Sequence, residues 1–277
     1  MKGLKYVVLL PLLLLMGCKS EESDRTDMNL RGDVKSLWER KYVAEDVYGV
    51  AQKGKLISSV KCLFNKDGQM TATYWFNSDG DTIQRVIQIY DEKGQLTQKK
   101  MYGDFGELDF VSKFTYDEKN RVVEILDLDP DDFMIKRTVK EYNDDNLIET
   151  TLEYDKKENL TSKTIVQKNK EDLPKEVKIY NAERELVNFR REVYNEKKNL
   201  TEFTVFAPDE TTVMLHAQLS YDRGGNLTSI ETVGENNEAF EKEENVYQFD
   251  QKNNWIYQGH YVGGEIKELV NREIEYY

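Results

Sequence analysis

Cysteine, histidine and long apolar runs are what this chain has least of. Among 277 residues, cysteine occurs only at Cys18 and Cys62, and histidine only at His216 and His260. If Cys18 is consumed as argued below, Cys62 has no partner. No intramolecular disulfide can then form, and the fold must stand on packing. Cys62 lies in a strand-like stretch, Leu56 to Phe64, where a small buried apolar side chain is the expected role. The two histidines stand singly in strand-like segments, without a second ligand at metal spacing or a nucleophile motif beside them. The sequence lacks a G-x-S-x-G elbow, a Walker loop and an H-E-x-x-H pair, and no cofactor is expected. Positive charge is also short: 39 Lys and Arg against 52 Asp and Glu give −13. That balance repels nucleic acid and anionic lipid surfaces as partners.

The single long apolar run, Tyr6 to Met16, is about half of what a bilayer-spanning helix needs. Lys2 and Lys5 precede it, and Leu15-Met16-Gly17-Cys18 closes it with small residues before the cysteine. This pattern resembles the lipobox of bacterial lipoproteins, which implies removal of residues 1–17 and acylation of Cys18. The lipid bilayer, reached through acylated Cys18, is therefore the first expected partner, on the cell surface or the periplasmic face of the outer membrane. Residues 18–33, polar and aperiodic, are expected to form a flexible tether. Residues 34–277 are expected to form one domain.

What is abundant is a repeat. An aromatic residue is followed by Asp or Asn, two polar residues, Gly or Asn, one variable residue and an apolar residue. Clear copies start at Phe64, Tyr90, Tyr116, Tyr142, Tyr194, Tyr221 and Phe249, and a degraded copy runs from Gln167 to Leu173. Starts fall 26 to 28 residues apart apart from the interval that the degraded copy fills. A looser series starts at Phe76, Tyr102, Leu128, Tyr154, Tyr180, Phe206 and Val233. The chemistry is that of a β-hairpin. Asp or Asn bonds backbone amides two residues on, Gly or Asn accepts positive φ, and the apolar residue opens the next strand. Alternation places Ile148, Thr150, Leu152 and Tyr154 on one face and Glu149, Thr151 and Glu153 on the other.

The expected fold is all-β: a single antiparallel up-and-down meander of about 17 short strands. Accumulated twist should curl it into a water-soluble barrel or open shell that buries its better face. Weak apolar faces, such as Met134, Lys136, Thr138, Lys140 and Tyr142, predict a wide and partly wet interior. The strands are short and lack the uniform apolar belt of a membrane-spanning barrel.

Tyr90-Asp91-Glu92-Lys93-Gly94-Gln95-Leu96 and Tyr221-Asp222-Arg223-Gly224-Gly225-Asn226-Leu227 resemble the YD repeats of Rhs-type and wall-associated bacterial proteins. The whole chain is similar to the YD-repeat-like outer-membrane lipoprotein family of Gram-negative gut-type bacteria. The Asn254-Trp255 pair and the closing Arg272-Glu273-Ile274-Glu275-Tyr276-Tyr277 support that likeness. The resemblance implies repeat architecture and, from some related lipoproteins, a porin-like barrel that stays in water.

Three kinds of candidate site follow. Asp127, Asp129 and Asp131 stand two apart like the start of a calcium loop, but Asp132 replaces the required Gly and Thr138 the closing Glu, leaving a weak metal candidate. Tyr90, Tyr116, Tyr142, Tyr194 and Tyr221 share one repeat position, so they should line one rim, as hairpin plugs or as stacking surfaces. Trp38, Trp75 and Trp255 lie off that series or replace its apolar position and are the better ligand-contact candidates. No catalytic constellation emerges. The expected function is a lipid-anchored, non-catalytic binding or scaffold domain for a glycan, envelope component or partner protein. Alternatives are a toxin-neutralising or immunity-type repeat protein and an envelope hydrolase.

Overall fold

The computed structural model describes residues 24–235 and 238–277; Cys18 and the leader lie outside the described residues. A one-turn helix, α1 (Asp24–Asp27), precedes 18 strands. The first six are β1 (Val34–Val47), β2 (Val50–Phe64), β3 (Met70–Phe76), β4 (Thr82–Tyr90), β5 (Leu96–Tyr102) and β6 (Leu108–Tyr116). Next come β7 (Val122–Leu128), β8 (Met134–Asn143), β9 (Ile148–Asp155), β10 (Leu160–Lys168), β11 (Pro174–Asn181) and β12 (Leu186–Tyr194). The last are β13 (Leu200–Phe206), β14 (Val213–Tyr221), β15 (Leu227–Gly234), β16 (Glu243–Phe249), β17 (Trp255–Val262) and β18 (Glu265–Tyr276).

Each strand pairs antiparallel with the next, and β1 pairs with β18, so the meander closes into an 18-stranded barrel. Closure removes both sheet edges. The extra strand relative to the expected 17 comes from the tight turn at Gly263-Gly264, both at positive φ, which lacks the aromatic–Asp frame of the other turns.

The turn chemistry is that expected. Asp91 Oδ1 accepts the amides of Lys93 and Gln95, both at 2.9 Å, and Gly94 follows at φ 81°. The same two bonds recur at Asp117, Asn195, Asp222 and Asp250. The frame is strong enough to hold Lys198 (φ 64°) and Arg184 (φ 67°) where Gly or Asn was expected. The degraded repeat sits one residue later than read. Asn169 accepts the amides of Glu171 and Leu173, Asp172 has φ 63°, and Lys168 pairs with Pro174. Lys168 thus stands at the tyrosine position and Pro174 opens the strand.

Eight turns of the main series and both ends of the barrel lie at one rim; the other nine turns form the far rim. The segment Asp24–Asp33 crosses the first rim as a strap. Asp24 accepts the Met70 amide and, at 2.9 Å, the Tyr90 hydroxyl, while Arg25 donates to Lys66 O at 3.0 Å. Asn29 donates to Gly224 O and Asn226 Oδ1, and the Arg31 amide donates to Asn254 Oδ1 at 2.7 Å. These partners belong to turns spread over nearly half the ring. A ten-residue segment reaches them only as a chord on the inner side, which identifies the face bearing Tyr90 and Phe64 as the lumen. Leu30 of the strap, Val34, Leu37, Cys62 and Phe64 form the buried apolar cluster, with Met28, Val60, Met70, Ile274 and Tyr276 packed on it. The expectation of a flexible tether through residue 33 is therefore corrected from Asp24 onward, because Leu30 and four polar side chains find partners in the barrel.

The lumen is polar. Tyr142 faces it and pairs with Glu149, so Glu149, Thr151 and Glu153 point inward and Ile148, Thr150, Leu152 and Tyr154 point outward. This reverses the expected burial of the more apolar face of β9. The reversal is stable because the glutamates meet cations from neighbouring strands: Lys136–Glu153, and Lys140 (2.8 Å) and Lys168 (3.1 Å) on Glu149. Ser112–Asp127 at 2.6 Å and Ser162–Glu153 at 2.9 Å extend the network.

Candidate functional site

Four of the main-series tyrosines, and Tyr247 two residues ahead of the Phe249 start, are ties between successive repeats. The hydroxyls of Tyr90, Tyr116, Tyr142, Tyr221 and Tyr247 donate to the carbonyls of Met70, Leu96, Val122, Leu200 and Leu227, at 2.8–2.9 Å. Each acceptor opens the strand that follows the preceding turn of the same rim. Burial makes two of these phenols reluctant to ionise, pushing Tyr247 up to about 12 and raising Tyr221. Tyr194 departs from the pattern because its counterpart repeat is the degraded one. Its hydroxyl donates to the buried carboxylate of Glu192, which also pairs with Arg190. Of the five tyrosines that share the repeat position, Tyr90, Tyr116, Tyr142 and Tyr221 are thus engaged with backbone carbonyls and Tyr194 with Glu192.

The three tryptophans do not converge. Trp38 is on the outer wall, with Arg40 at 4.0 Å and Lys61 at 5.0 Å from its ring and Phe76 beside it. Trp75 pairs with Val60 and Gln84 on the lumenal side, away from the other two. Trp255 sits beneath the strap, where the Arg272 guanidinium lies 3.3 Å from its ring and Tyr247 is tilted against it at 5.6 Å.

That last group lines a cleft of about 380 Å³ between strap and wall, with Asp27, Asn29 and Asn226 at its polar edge. Burial lowers the Arg272 pKa, while Glu39 across the β1–β18 seam, at 2.9 Å, works to keep it charged. Arg272 is 10% exposed and Glu39 33%. Cleft and strap depend on Asn254, which is 1% exposed and bonds Arg31 O, Tyr276 Oη and the Arg31 amide. Arg272, Glu39 and Asn254 were not singled out from sequence; the usable signal was Asn at the variable turn position in the last three copies, Asn199, Asn226 and Asn254. Chemically, the cleft offers an aromatic face, a fixed cation and amide groups. Such a set stacks on a flat ring and bonds its polar edge.

Asp127, Asp129 and Asp131 do not form one site. Asp127 bonds Ser112 in the lumen, and Asp129 Oδ1 is occupied by the amides of Asp131 and Phe133. Among the described residues no group of three ligand-type side chains could hold a metal ion. His216 meets Thr204 at 3.0 Å and His260 meets Asn245 at 3.1 Å. Burial pushes the Cys62 thiol up to about 11.

Comparison with protein-family models and with curated proteins gives no match. Among solved structures, the chain is similar to a porin-like protein from Bacteroides uniformis ATCC 8492 (11% identity, 87% of this chain and 98% of that one, TM-score 0.47). It is also similar to a porin-like protein from Bacteroides vulgatus ATCC 8482 (12% identity, 88% and 98%, TM-score 0.35). A third similarity is to a chain of the TcdB2-TccC3-Cdc42 complex (10% identity, 84% of this chain, TM-score 0.29), of which this chain spans only 14%.

Proposed function

We propose that this chain is a lipid-anchored binding barrel of the cell envelope, of the YD-repeat-like lipoprotein kind, holding its target without transforming it. The carrying observation is the cleft under the strap, where Trp255, Tyr247 and the buried Arg272 present a stacking face and a cation to a ring-shaped polar ligand such as a sugar unit. Two further features support this reading. Every described carboxylate with a displaced titration, Glu149 and Glu153 among them, is displaced toward the ionised form, which suits ion pairing better than proton donation. The outer wall carries Lys100, Lys113 and Arg137 at outward positions within their strands. Each would cost about 2–4 kcal/mol at a bilayer midplane, which favours a barrel standing in water on an acyl anchor at Cys18.

The test has two arms. Cells fed radiolabelled palmitate should label the wild-type chain and leave the Cys18→Ala variant unlabelled. The purified protein should bind members of a glycan array, and Trp255→Ala, checked for an intact melting transition, should lose that signal. An unlabelled wild-type chain in the cytosol, together with a blank array, overturns the proposal.

A further inference from the structure

The two rims of the barrel differ in a way that hairpin formation does not require. At the far rim, Tyr48 is 100% exposed, Phe105 92%, Phe133 70% and Phe240 56%. Tyr48, Phe105 and Phe133 occupy the β1–β2, β5–β6 and β7–β8 connections, within the arc from β1 to β8 because strand order follows the chain, whereas Phe240, in the β15–β16 connection, stands nearly across the ring from Phe133. Phe105 stands three residues after its repeat's aromatic, where the strap rim carries Asp67, Lys93, Lys119, Lys197 and Lys252. The turn itself therefore accepts charged residues at that place, and the ring is free of a structural duty. Aromatic side chains left in water at several neighbouring loop tips mark a contact surface.

Charge selects what fits there. The loops bearing the first three rings carry Asp46, Asp104, Glu107, Asp131 and Asp132, and none of the β1–β2, β5–β6 and β7–β8 connections contains Lys or Arg, whereas the connection bearing Phe240 contains Lys242. The corresponding strap-rim turns mix both signs. We propose that the β1–β8 arc of the far rim is the docking surface for a cationic protein partner, whose lysines and arginines meet the carboxylates and stack on the rings while its apolar residues cover Tyr48, Phe105 and Phe133. Aromatic faces attract cations, and the surrounding negative field repels nucleic acid and anionic lipid headgroups. The inference deepens the reading of the protein as a binding barrel and rests on it. It assigns the partner to the rim opposite the strap.

The test uses the full purified chain and a fluorescein-labelled peptide of alternating lysine and leucine pairs, with a glutamate-for-lysine peptide as control. The wild type should bind the lysine peptide saturably and ignore the glutamate peptide. The combined variant Tyr48→Ser, Phe105→Ser and Phe133→Ser keeps the net charge and should weaken binding by about tenfold or more. A second variant, Asp104→Asn with Asp131→Asn and Asp132→Asn, should flatten the salt dependence. Lys119→Ser with Lys197→Ser at the strap rim should bind as the wild type does. Equal affinity of the ring-less variant and the wild type overturns the proposal, as does a wild type that binds both peptides alike or neither. If the ring-less variant melts early, smaller variants (Tyr48→Ser with Phe105→Ser, and Phe133→Ser alone) carry the comparison. A chain that holds its glycan at Trp255 and ignores the lysine peptide refutes the rim assignment alone; one that does neither removes the binding-barrel reading as well.

Discussion

Replacing a tie tyrosine by phenylalanine removes one oxygen and keeps the ring, so the series isolates the hydroxyl bond between repeats. Tyr116 and Tyr142 donate to the carbonyls of Leu96 and Val122 at 2.9 and 2.8 Å. A bond of this kind contributes about 0.5–1.5 kcal/mol net, and a partly buried carbonyl left without it adds to the loss, so each variant should cost about 1–2 kcal/mol. Val122 accepts the Tyr142 bond and pairs with Tyr116 across β6 and β7, so their double variant should depart from the sum, whereas Tyr116→Phe with Tyr221→Phe, on separate hairpins, should lose the sum. Tyr194→Phe is the internal contrast. Its hydroxyl serves Glu192, whose side chain is 4% exposed, and a bond to a buried charge is worth about 1.5–3 kcal/mol. Tyr194→Phe should therefore be the most damaging of these single replacements. Equilibrium urea unfolding followed by tryptophan fluorescence reads this directly. With a slope of about 3 kcal/mol/M, each kcal/mol moves the midpoint by about 0.3 M. A Tyr116→Phe or Tyr142→Phe midpoint equal to wild type would refute the tie, and Tyr194→Phe costing no more than they do would refute the account of Glu192.

Leu30→Ala should cost about 2–5 kcal/mol in the same assay and expose the strap to protease, since Leu30 is 7% exposed within the apolar cluster. Burial opposes the charge of Glu149, yet Lys140 and Lys168 hold its carboxyl below the ordinary range. Its folded value lies below an unfolded value of about 4.3, so its contribution is complete at neutral pH and is lost as pH falls below about 4. Glu149→Gln should thus lower the melting temperature at pH 7 and reduce its fall on acidification. Lys198→Gly relieves a left-handed residue whose cost of about 1–2 kcal/mol exceeds the entropy cost of glycine, so the unfolding free energy from the same urea titration should rise by a few tenths to about 1 kcal/mol.

Much of the barrel was legible because its signals are local. An Asp or Asn followed three residues on by a positive-φ position specifies a turn within a handful of atoms, and that is why the series from Phe64 to Trp255 could be read. The Gly263-Gly264 turn escaped because it uses none of that chemistry. The sidedness of β9 was misjudged because apolar content was taken to mark the interior, whereas Glu149 and Glu153 are held inward by lysines of other strands. The strap escaped for a related reason: Leu30 is a lone apolar residue in a polar stretch, and its partners lie far along the chain. The same distance hid the cleft, where Arg272 and Glu39 are 233 residues apart. Trp255 was recognised as a candidate; its partners were not.

Because β1 and β18 lie side by side and the Tyr277 amide donates to Asp33 O at 2.9 Å, the two ends of the barrel-forming segment meet. The ring consequently has no structural first strand. Joining residues 34 and 277 by a short linker and cutting at the exposed Tyr48-Gly49 turn would yield a permuted chain with the same nine hairpins and the same lumen. What such a permutant could not carry is a strap leading into the ring from a free N-terminus. Permuting the gene would therefore separate two roles that the natural chain order joins: closing the wall, and covering one of its openings.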